Sequence, residues 1–295
     1  MKLIRILIIT VLLNAIFFIN SHKAFCDKTY SRIVSMSPSI TEMIEGLDAT
    51  DKIIGVTIYD NTDKPGNNIA SVGGWINPNL EVITALEPDL IVLMKPQDKM
   101  FGDKLRSLNL DIHIVDANES ISSIKKAITA LGVKLNKKKQ AANLVKKINY
   151  EIDQIQAKTS TVEPKTVLFV VGRNPGTLND IYIIGKTGFI NEIIDTAGGE
   201  NATDSSRFSL KISKEGLLSY NPDVIVEVNH TKANISENTI NEWKEFKESS
   251  AVKQNQVYTV SSTSFLHPSQ RVVEAVRILA RILHPELFSD NARNN

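Results

Sequence analysis

The segment NLEVITALEPDLIVLM, residues Asn79–Met94, is matched in the second half of the chain by SKEGLLSYNPDVIVEV, residues Ser213–Val228. The two segments align without a gap, and in both the dipeptide Pro-Asp separates a helical pattern from a run of apolar residues. A short helix followed by a buried strand is a building unit of α/β sheets. Its recurrence therefore predicts two lobes of similar architecture.

Each copy of the repeat begins with a residue suited to cap a helix, Asn79 in the first and Ser213 in the second. Glu81 and Glu215 then fall in the first helical turn, where a negative charge is favoured by the helix dipole. One interpretation is that both glutamates only complement the dipole. The other is that each lobe presents one carboxylate at a helix tip for a shared purpose.

Strand and helix patterns alternate on both sides of the repeat, which indicates an α/β architecture with largely parallel sheets. The predicted strands are Arg32–Met36, Lys52–Thr57, Leu90–Met94, Ile112–Val115, Thr166–Val171, Asp223–Val228 and Val257–Val260. The predicted helices are Ser39–Leu47, Asn79–Leu86, Phe101–Leu108, Ser120–Leu135, Gly188–Thr196, Lys214–Ser219, Thr239–Phe246 and Ser269–Leu283.

A longer helix is predicted between the two halves, over Lys137–Lys158. Leu144, Ile148, Ile152 and Ile155 recur every three or four residues and form one apolar face. A flexible linker would be rich in Gly, Ser or Pro, and this segment contains none of them. The pattern favours a stiff helix that joins the lobes, although an ordinary amphipathic helix inside one lobe would show the same periodicity.

The first 26 residues have the features of an export signal. Basic residues near the start precede the largely apolar run Ile6–Ile19, which is shorter than the roughly 20 residues of a membrane-spanning helix. Ala24–Cys26 resembles a small-x-small cleavage site. Lipidation of Cys26 is the alternative, but Phe25 stands where a lipidation signal has a small residue. We therefore expect a periplasmic protein that is not anchored by lipid.

These patterns divide the chain into a signal peptide (1–26), an N-terminal α/β lobe (27–136), an interlobe helix (137–160) and a C-terminal α/β lobe (161–295). The predicted fold class is two α/β lobes with central, mostly parallel sheets bridged by one long helix. The 295 residues are 42% hydrophobic and 23% charged, as in ordinary globular proteins. The net charge of +1 gives no general attraction to nucleic acid, and a single cysteine excludes a disulfide framework.

The chain resembles the substrate-binding proteins of ABC importers for corrinoids, haem and ferric siderophores, and among them the vitamin B12-binding members most. The resemblance rests on five motifs in the family's order: RIVSMSPSITE (32–42), SVGGWINPNLE (71–81), LEPDLIV (86–92), DTAGGEN (195–201) and the second copy of the repeat. It implies a helical-backbone periplasmic binding protein, expected to be a monomer, with the ligand in a cleft between the lobes. It also implies that Glu81 and Glu215 dock on the membrane permease.

A corrin ring is large and flat, so its site needs aromatic faces and few charges. The resemblance implies ligand contacts for Trp75 and Tyr59, and the glycines before Trp75 allow close backbone approach. Ser37 and Pro38 end the first strand, where open α/β sheets usually bind ligands. Packing within loops is the alternative for every candidate. The ligand-binding candidates are Ser37, Pro38, Tyr59, Gly74 and Trp75 in the first lobe and Arg173, Phe208 and Phe265 in the second.

The sequence lacks the motifs of several common enzyme classes. It has no phosphate-binding glycine loop, no His-Glu-x-x-His and no Gly-x-Ser-x-Gly. We therefore predict neither an enzyme nor a resident cofactor. His230 and His267 both follow strands of the second lobe, but a metal site would also need His113 from the first lobe. His267 is alternatively an axial ligand to haem iron or cobalt. The predicted function is capture and delivery of cobalamin, with haem or a ferric siderophore as the alternative ligand.

Overall fold

The computed structural model describes residues 28–60, 69–230 and 236–288. The predicted signal peptide, including Cys26, lies outside these described residues. Within them, none of the helices combines the length and the apolar character needed to cross a bilayer.

The N-terminal lobe is built on a five-stranded sheet in which every pairing is parallel. Its spatial order is β3-β2-β1-β4-β5. The strands are β1 (Ile33–Ser35), β2 (Ile53–Val56), β3 (Ala70–Ser71), β4 (Leu90–Met94) and β5 (Ile112–Val115). The helices are α1 (Pro38–Gly46), α2 (Leu80–Ala85), α3 (Lys95–Gln97), α4 (Asp103–Ser107) and α5 (Ile121–Lys134), with a π-helical turn at Asp98–Gly102 and a 3₁₀ turn at Thr50–Lys52.

The C-terminal lobe is built on a six-stranded mixed sheet. It follows the order β11-β10-β6-β7-β9, with β8 paired to the first half of β6. The strands are β6 (Lys165–Gly172), β7 (Ile181–Ile184), β8 (Gly199–Asn201), β9 (Ser209–Ile212), β10 (Val224–Asn229) and β11 (Val257–Ser261). The helices are α7 (Phe189–Thr196), α8 (Lys214–Tyr220), α9 (Ser236–Trp243), α10 (Ser250–Lys253), α11 (Ser262–Phe265) and α12 (Val272–Leu283), followed by a 3₁₀ turn at Pro285–Phe288.

One helix connects the lobes, α6 (Lys138–Thr159), and its 22 residues correspond to about 33 Å at 1.5 Å per residue. Its buried residues include Ala141, Ile148 and Ile155, spaced seven apart on one face. This face packs on α5 of the first lobe and on α12 of the second. The predicted long helix and the two-lobed fold class are thus confirmed.

The sequence repeat is also a structural repeat. In the first lobe the Asp89 carboxylate accepts hydrogen bonds from the backbone of Ser31 and Arg32, immediately before β1, at 2.7 and 3.0 Å. In the second lobe the Asp223 carboxylate accepts from the Thr166 backbone, at the start of β6, at 2.8 Å. The aspartate of each copy therefore fixes the start of the neighbouring parallel strand, a role beyond the helix–strand boundary expected from sequence.

Side-chain alternation along the strands separates three hydrophobic clusters. Ile33, Leu90 and Val167 point into a joint core, which continues through both lobes and contains the buried faces of α1, α5, α6, α7 and α12. On the opposite face of the first sheet lies the first outer core, with Val34 and Ile83. A second outer core covers the equivalent face of the second sheet and includes α8 and α9. The repeat helices α2 and α8 thus both lie on outer faces.

The start of the described chain is fastened to the first lobe through Asp111. Its carboxylate accepts hydrogen bonds from Tyr30 at 2.5 Å, Lys28 at 2.9 Å and Lys134 at 3.2 Å. Burial by itself would raise the pKa of Asp111, but these three donors outweigh it and lower the pKa to about 2.

Replacement of Asp111 by Asn is expected to lower the free energy of unfolding near neutral pH by about 1–2 kcal/mol, allowing for the carboxylate's partial exposure. The folded pKa is below the unfolded one, so the contribution is present above pH 3.8 and is lost as the pH falls towards 2. Urea unfolding at several pH values measures this. A difference between wild type and variant that persists unchanged at pH 2 would contradict it.

Candidate ligand-binding cleft

The carboxyl ends of the central strands of an open α/β sheet form the usual ligand-binding edge. In the first lobe, Ser37 follows β1, Tyr59 follows β2 and Trp75 follows β3, so the topology brings these three candidates to one edge. In the second lobe, Arg173 follows β6. The two edges are held next to each other by contacts described below, and the space between them is the candidate cleft.

The loop that carries Trp75, residues 73–79, is closely packed. Gly73 has a φ of +92°, and a Cβ there would lie 2.8 Å from the Asn79 backbone nitrogen. A Cβ on Gly74 would lie 2.2 Å from Oδ1 of Asn77 and 3.7 Å from the Tyr59 hydroxyl. Gly73 therefore needs to be glycine, because its φ is positive and backbone atoms close it in, whereas a side chain at position 74 would require Asn77 to move. The Gly74 contact also places the Tyr59 hydroxyl next to the loop. Trp75 itself is half-buried against the joint core.

Gln97 holds this loop in place and was not among the predicted site residues. The side chain is fully buried, and its Nε2 donates to the Met36 carbonyl at 2.8 Å and to the Trp75 carbonyl at 2.9 Å. Its Oε1 accepts from the Met94 backbone N–H at 2.9 Å. Gln97 thus joins the ends of β1 and β4 to the Trp75 loop. Gln97 is three residues after the N-cap Met94, and because Met94 is neither Ser nor Thr, no capping-box pattern in the sequence identifies it.

Exposed apolar side chains surround the Trp75 loop. Tyr59 is 61% exposed, Ile58 62% and Ile76 69%, which are the three most exposed large apolar side chains at this edge among the described residues. Ile58 is bound to the same loop, because its N–H donates to the Gly73 carbonyl at 3.0 Å. Together with Trp75 they form an aromatic and aliphatic surface on the first lobe.

Ser37 and Pro38 lie below this surface. Ser37 is buried, and its hydroxyl shares a 2.9 Å hydrogen bond with Ser39. Pro38 is partly exposed and occupies the first position of α1, where a missing N–H costs nothing. Of the two, only the ring of Pro38 is accessible from outside the protein.

Arg173 is buried and ion-paired within the second lobe. Its side chain is 4% exposed, and its guanidinium pairs with Glu227 at 2.9 Å and with Glu242 at 2.5 Å. A third nitrogen donates to the Thr177 carbonyl at 2.7 Å. These contacts hold the guanidinium within the second lobe and leave it unavailable to a ligand. Arg173 is therefore not part of the proposed site.

Phe265 and Phe208 have opposite environments. Phe265 is fully buried, with its ring centroid 5.4 Å from that of Phe169, so the proposed site excludes it as well. Phe208 is 47% exposed and covers Gly188, where a Cβ would lie 2.6 Å from the phenyl ring. The same Cβ would lie 3.4 Å from the Asn118 carbonyl of the first lobe. Phe208 therefore lies at the boundary between the lobes.

Glu42 of α1 forms the main polar contact between the lobes. Its carboxylate accepts from Ser269 Oγ at 2.5 Å and contacts His267 Nδ1 at 2.9 Å and Arg271 Nε at 3.4 Å. Its backbone carbonyl accepts from Gln270 Nε2 at 2.6 Å. Four side chains of the five-residue segment 267–271, immediately before α12, thus converge on one buried glutamate of the first lobe. A lone glutamate in a helical pattern gives no sequence signal for such a role.

Asp60 lies beside this contact at the end of β2. Burial raises the pKa of Asp60, while hydrogen bonds from Thr41 and Thr57 and the neighbouring His267 act in the opposite direction. Because His267 offers Nδ1 to Glu42, its Nε2 remains without a hydrogen-bond partner among the described residues. The ring therefore combines a fixed orientation with one free nitrogen.

The remaining histidines do not join His267. His230 Nε2 contacts the Val171 carbonyl at 2.6 Å, and His113 lies in β5, where burial lowers its pKa. Within the described part of the chain, no three His, Cys, Asp or Glu side chains come together as metal ligands.

Glu81 and Glu215 occupy matching exposed positions in the first turns of α2 and α8. The predicted caps are confirmed, because Asn79 accepts from Val82 N–H at 3.1 Å and Ser213 accepts from Gly216 N–H at 3.2 Å. Hydrogen bonds from its own backbone N–H and from Ser213 lower the pKa of Glu215, so its carboxylate is ionised at neutral pH.

A sequence model for periplasmic binding proteins matches residues 33–263. The chain belongs to the periplasmic binding protein family. Members of this family are substrate-binding proteins of transport systems rather than enzymes.

Three relatives illustrate the range of periplasmic binding proteins to which the chain is similar. It is 30% identical to the uncharacterized ABC transporter substrate-binding lipoprotein YvrC of Bacillus subtilis, over 89% of this chain and 83% of that protein. It is 25% identical to the high-affinity heme uptake system protein IsdE of Staphylococcus aureus, over 90% of both chains. The structure of the vitamin B12-binding protein BtuF of Vibrio cholerae superposes with a TM-score of 0.73 at 23% identity, covering 87% of this chain and 97% of that one.

Proposed function

We propose that this periplasmic binding protein captures a corrinoid between its two lobes and delivers it to the permease of an ABC importer. The observation that carries the proposal is the aromatic and aliphatic surface of Trp75, Tyr59, Ile58 and Ile76 at the strand ends of the first lobe. A flat macrocycle offers large apolar faces, and covering an exposed apolar surface with such a face makes the free energy of binding more favourable. The name of YvrC supports the transport class.

The charges near the cleft support a neutral or weakly charged macrocycle over an anionic siderophore. A siderophore carrying several negative charges needs cationic partners, and Arg173 is neutralised by Glu227 and Glu242. Arg207, next to Phe208 in sequence, is exposed and is the second-lobe arginine that could pair with such a ligand. For the second lobe we propose a ligand contact by Phe208, which is 47% exposed at the boundary between the lobes.

A ligand panel tests the proposal directly. Purified protein is titrated with cyanocobalamin, hemin and a ferric catecholate siderophore, and binding is followed by calorimetry and by absorption spectra. We expect saturable 1:1 binding of the corrinoid. Tight binding of the siderophore together with none of either macrocycle would overturn the proposal.

Replacement of Trp75 by Ala is expected to weaken corrinoid binding by roughly 5- to 150-fold, because one aromatic face is lost at a cost of about 1–3 kcal/mol. Trp75→Phe is the matched control, since it keeps an aromatic ring and should retain most of the affinity. Calorimetric titration of both variants measures the effect, with thermal unfolding as the check on folding. An unchanged dissociation constant for Trp75→Ala would remove Trp75 from the site.

Haem is the second candidate ligand, and the orientation of His267 favours it. A histidine that ligates a metal usually gives its other nitrogen to a carboxylate, as His267 Nδ1 does with Glu42 at 2.9 Å. If hemin binds, its Soret band should shift, and His267→Ala should abolish that shift while His230→Ala leaves it intact. The same shift in both variants would exclude His267 as the axial ligand.

Export and docking complete the proposal. Cleavage after Cys26 would release the protein into the periplasm, whereas the relative YvrC is named a lipoprotein, which supports a lipid on Cys26 as the alternative. The mass of the N-terminal peptide from exported protein distinguishes cleavage from lipidation.

We further propose that Glu81 and Glu215 engage the permease and that the protein acts as a monomer.

A further inference from the structure

The positive charge of the protein is concentrated in one part of the first lobe. The segment 120–150 contains eight lysines and no acidic residue, although the net charge of the whole chain is only +1. The other residues together therefore carry a net charge of −7. The eight lysines are Lys125, Lys126, Lys134, Lys137, Lys138, Lys139, Lys146 and Lys147.

This segment folds into the antiparallel pair α5 and α6, whose outer side forms a shallow open groove. Val133, Val145 and Ala142 line the bottom of the groove, and lysines from both helices stand along its edges. Val133 is 50% exposed, so the apolar bottom is open to solvent. We call these lysines and the groove between them the basic face.

Most of the charge on the basic face is not neutralised within the protein. Lys126, Lys138 and Lys146 are exposed and have no ion-pair partner among the residues that the structure describes. By contrast, Lys134 is paired with Asp111 and Lys147 lies 3.8 Å from Glu151. An array of unpaired cations over exposed apolar side chains matches a surface that offers both anionic groups and hydrocarbon.

The polypeptide enters the described structure beside this face. The Asn136 side chain, in the turn between α5 and α6, donates to the Lys28 carbonyl at 3.4 Å. The Tyr30 ring lies between two ammonium groups, 5.0 Å from that of Lys28 and 4.8 Å from that of Lys134. Any attachment to the membrane through Cys26, or through the apolar run before it, therefore meets the folded protein at the α5–α6 turn.

We propose that the basic face of α5 and α6 binds the anionic phospholipid surface of the membrane across which the protein is exported. The charge concentration supplies the attraction, and the entry point of the chain brings this side of the protein close to the bilayer. The basic face and α2, which carries Glu81, pack on opposite faces of the first sheet. A protein lying on its basic face therefore turns the α2 side of this lobe away from the lipid, so it has to leave this position before Glu81 can engage the permease.

Vesicle binding by the exported form of the protein tests this proposal independently of the transported ligand. The probes are vesicles of phosphatidylcholine alone and vesicles with about one third phosphatidylglycerol, and binding is measured by sedimentation. Each basic residue close to an anionic surface contributes about a fivefold factor to partitioning. We expect binding to the anionic vesicles only, and a strong decrease between 50 and 500 mM salt because exposed charges are screened.

The decisive variant is Lys126→Gln/Lys138→Gln/Lys146→Gln, which should weaken partitioning about 100-fold. The matched control is Lys99→Gln/Lys104→Gln/Lys247→Gln, which removes the same charge from exposed lysines elsewhere and should stay within about twofold of wild type. Thermal unfolding verifies that both variants fold. Equal losses of vesicle binding in the two variants would show that the net charge of the protein, and not the basic face, determines binding. That result, or equal binding of wild type to both kinds of vesicle, would overturn the proposal.

Discussion

Uptake of the ligand is expected to fall almost to background when Glu81 and Glu215 are both replaced by Ala, with each single replacement reducing it about tenfold or more. The two carboxylates are exposed, lie in the first turns of equivalent helices and belong to different lobes joined by the rigid helix α6. Two such charges can engage two basic pockets of a permease at once. Charge pairs at interfaces couple by about 1.5–7 kcal/mol, and removing one partner leaves the other unpaired.

The measurement is ligand uptake into vesicles that contain the reconstituted permease, alongside calorimetry on the free variants. Ligand affinity should stay within about twofold, because neither carboxylate needs to touch the ligand. The double variant Glu163→Ala/Glu274→Ala removes two other exposed carboxylates and should transport normally. Full uptake by the Glu81/Glu215 variant, or a large loss of its ligand affinity, would assign these glutamates another role.

Replacement of Glu42 by Ala is expected to lower the free energy of unfolding by about 3 kcal/mol. The carboxylate is nearly buried and holds Ser269 at 2.5 Å and His267 at 2.9 Å across the lobe boundary. Hydrogen bonds to a charged group contribute about 1.5–3 kcal/mol, and losing the acceptor leaves buried donors unsatisfied. Urea unfolding measures the effect, and Glu274→Gln, an exposed glutamate in the first turn of α12, should change stability by less than about 0.5 kcal/mol.

A double-mutant cycle distinguishes this contact from a general loss of packing. If Glu42 and Ser269 interact directly, the effects of Glu42→Ala and Ser269→Ala should not add, and the coupling should reach about 1 kcal/mol. Additive effects would show that the interlobe contact does not form in solution.

The central parallel strands could be predicted from sequence because their signals are local, whereas the parallel strands β3 and β8, only two and three residues long, were missed. Leu90–Met94 follows a capped helix and Pro-Asp, and the predicted strand Asp223–Val228 begins at the aspartate of the second Pro-Asp. Both were predicted within a residue of their observed bounds. The antiparallel strands β7 and β9 were missed. In β9 the exposed Ser209 and Lys211 alternate with the partly buried Leu210 and Ile212, so it shows no continuous apolar run. The segment of β7, Ile181–Ile184, is apolar throughout but only four residues long, and its apolar signal was overlooked.

The residues of the candidate site also differ in whether their environment depends on local sequence or on distant partners. Gly74 and Trp75 are neighbours in sequence, and the tight loop they form follows from the glycines alone. The environments of Arg173 and Phe265 depend on partners distant in the chain, Glu242 and Phe169, so no local pattern could distinguish them from ligand contacts. For the same reason the convergence of four groups on Glu42, more than 220 residues away from them, was not predictable.

The continuity of the joint core determines how the protein unfolds. Many two-lobed proteins contain a flexible connection, so one half can lose its structure while the other persists. Here a single cluster of buried side chains extends from Ile33 to Leu283, and the connection between the halves is itself a helix packed into that cluster. Neither half keeps an intact interior without the other. We therefore expect the chain to unfold in one cooperative transition, and the helical connection offers a protease no unstructured linker between the halves.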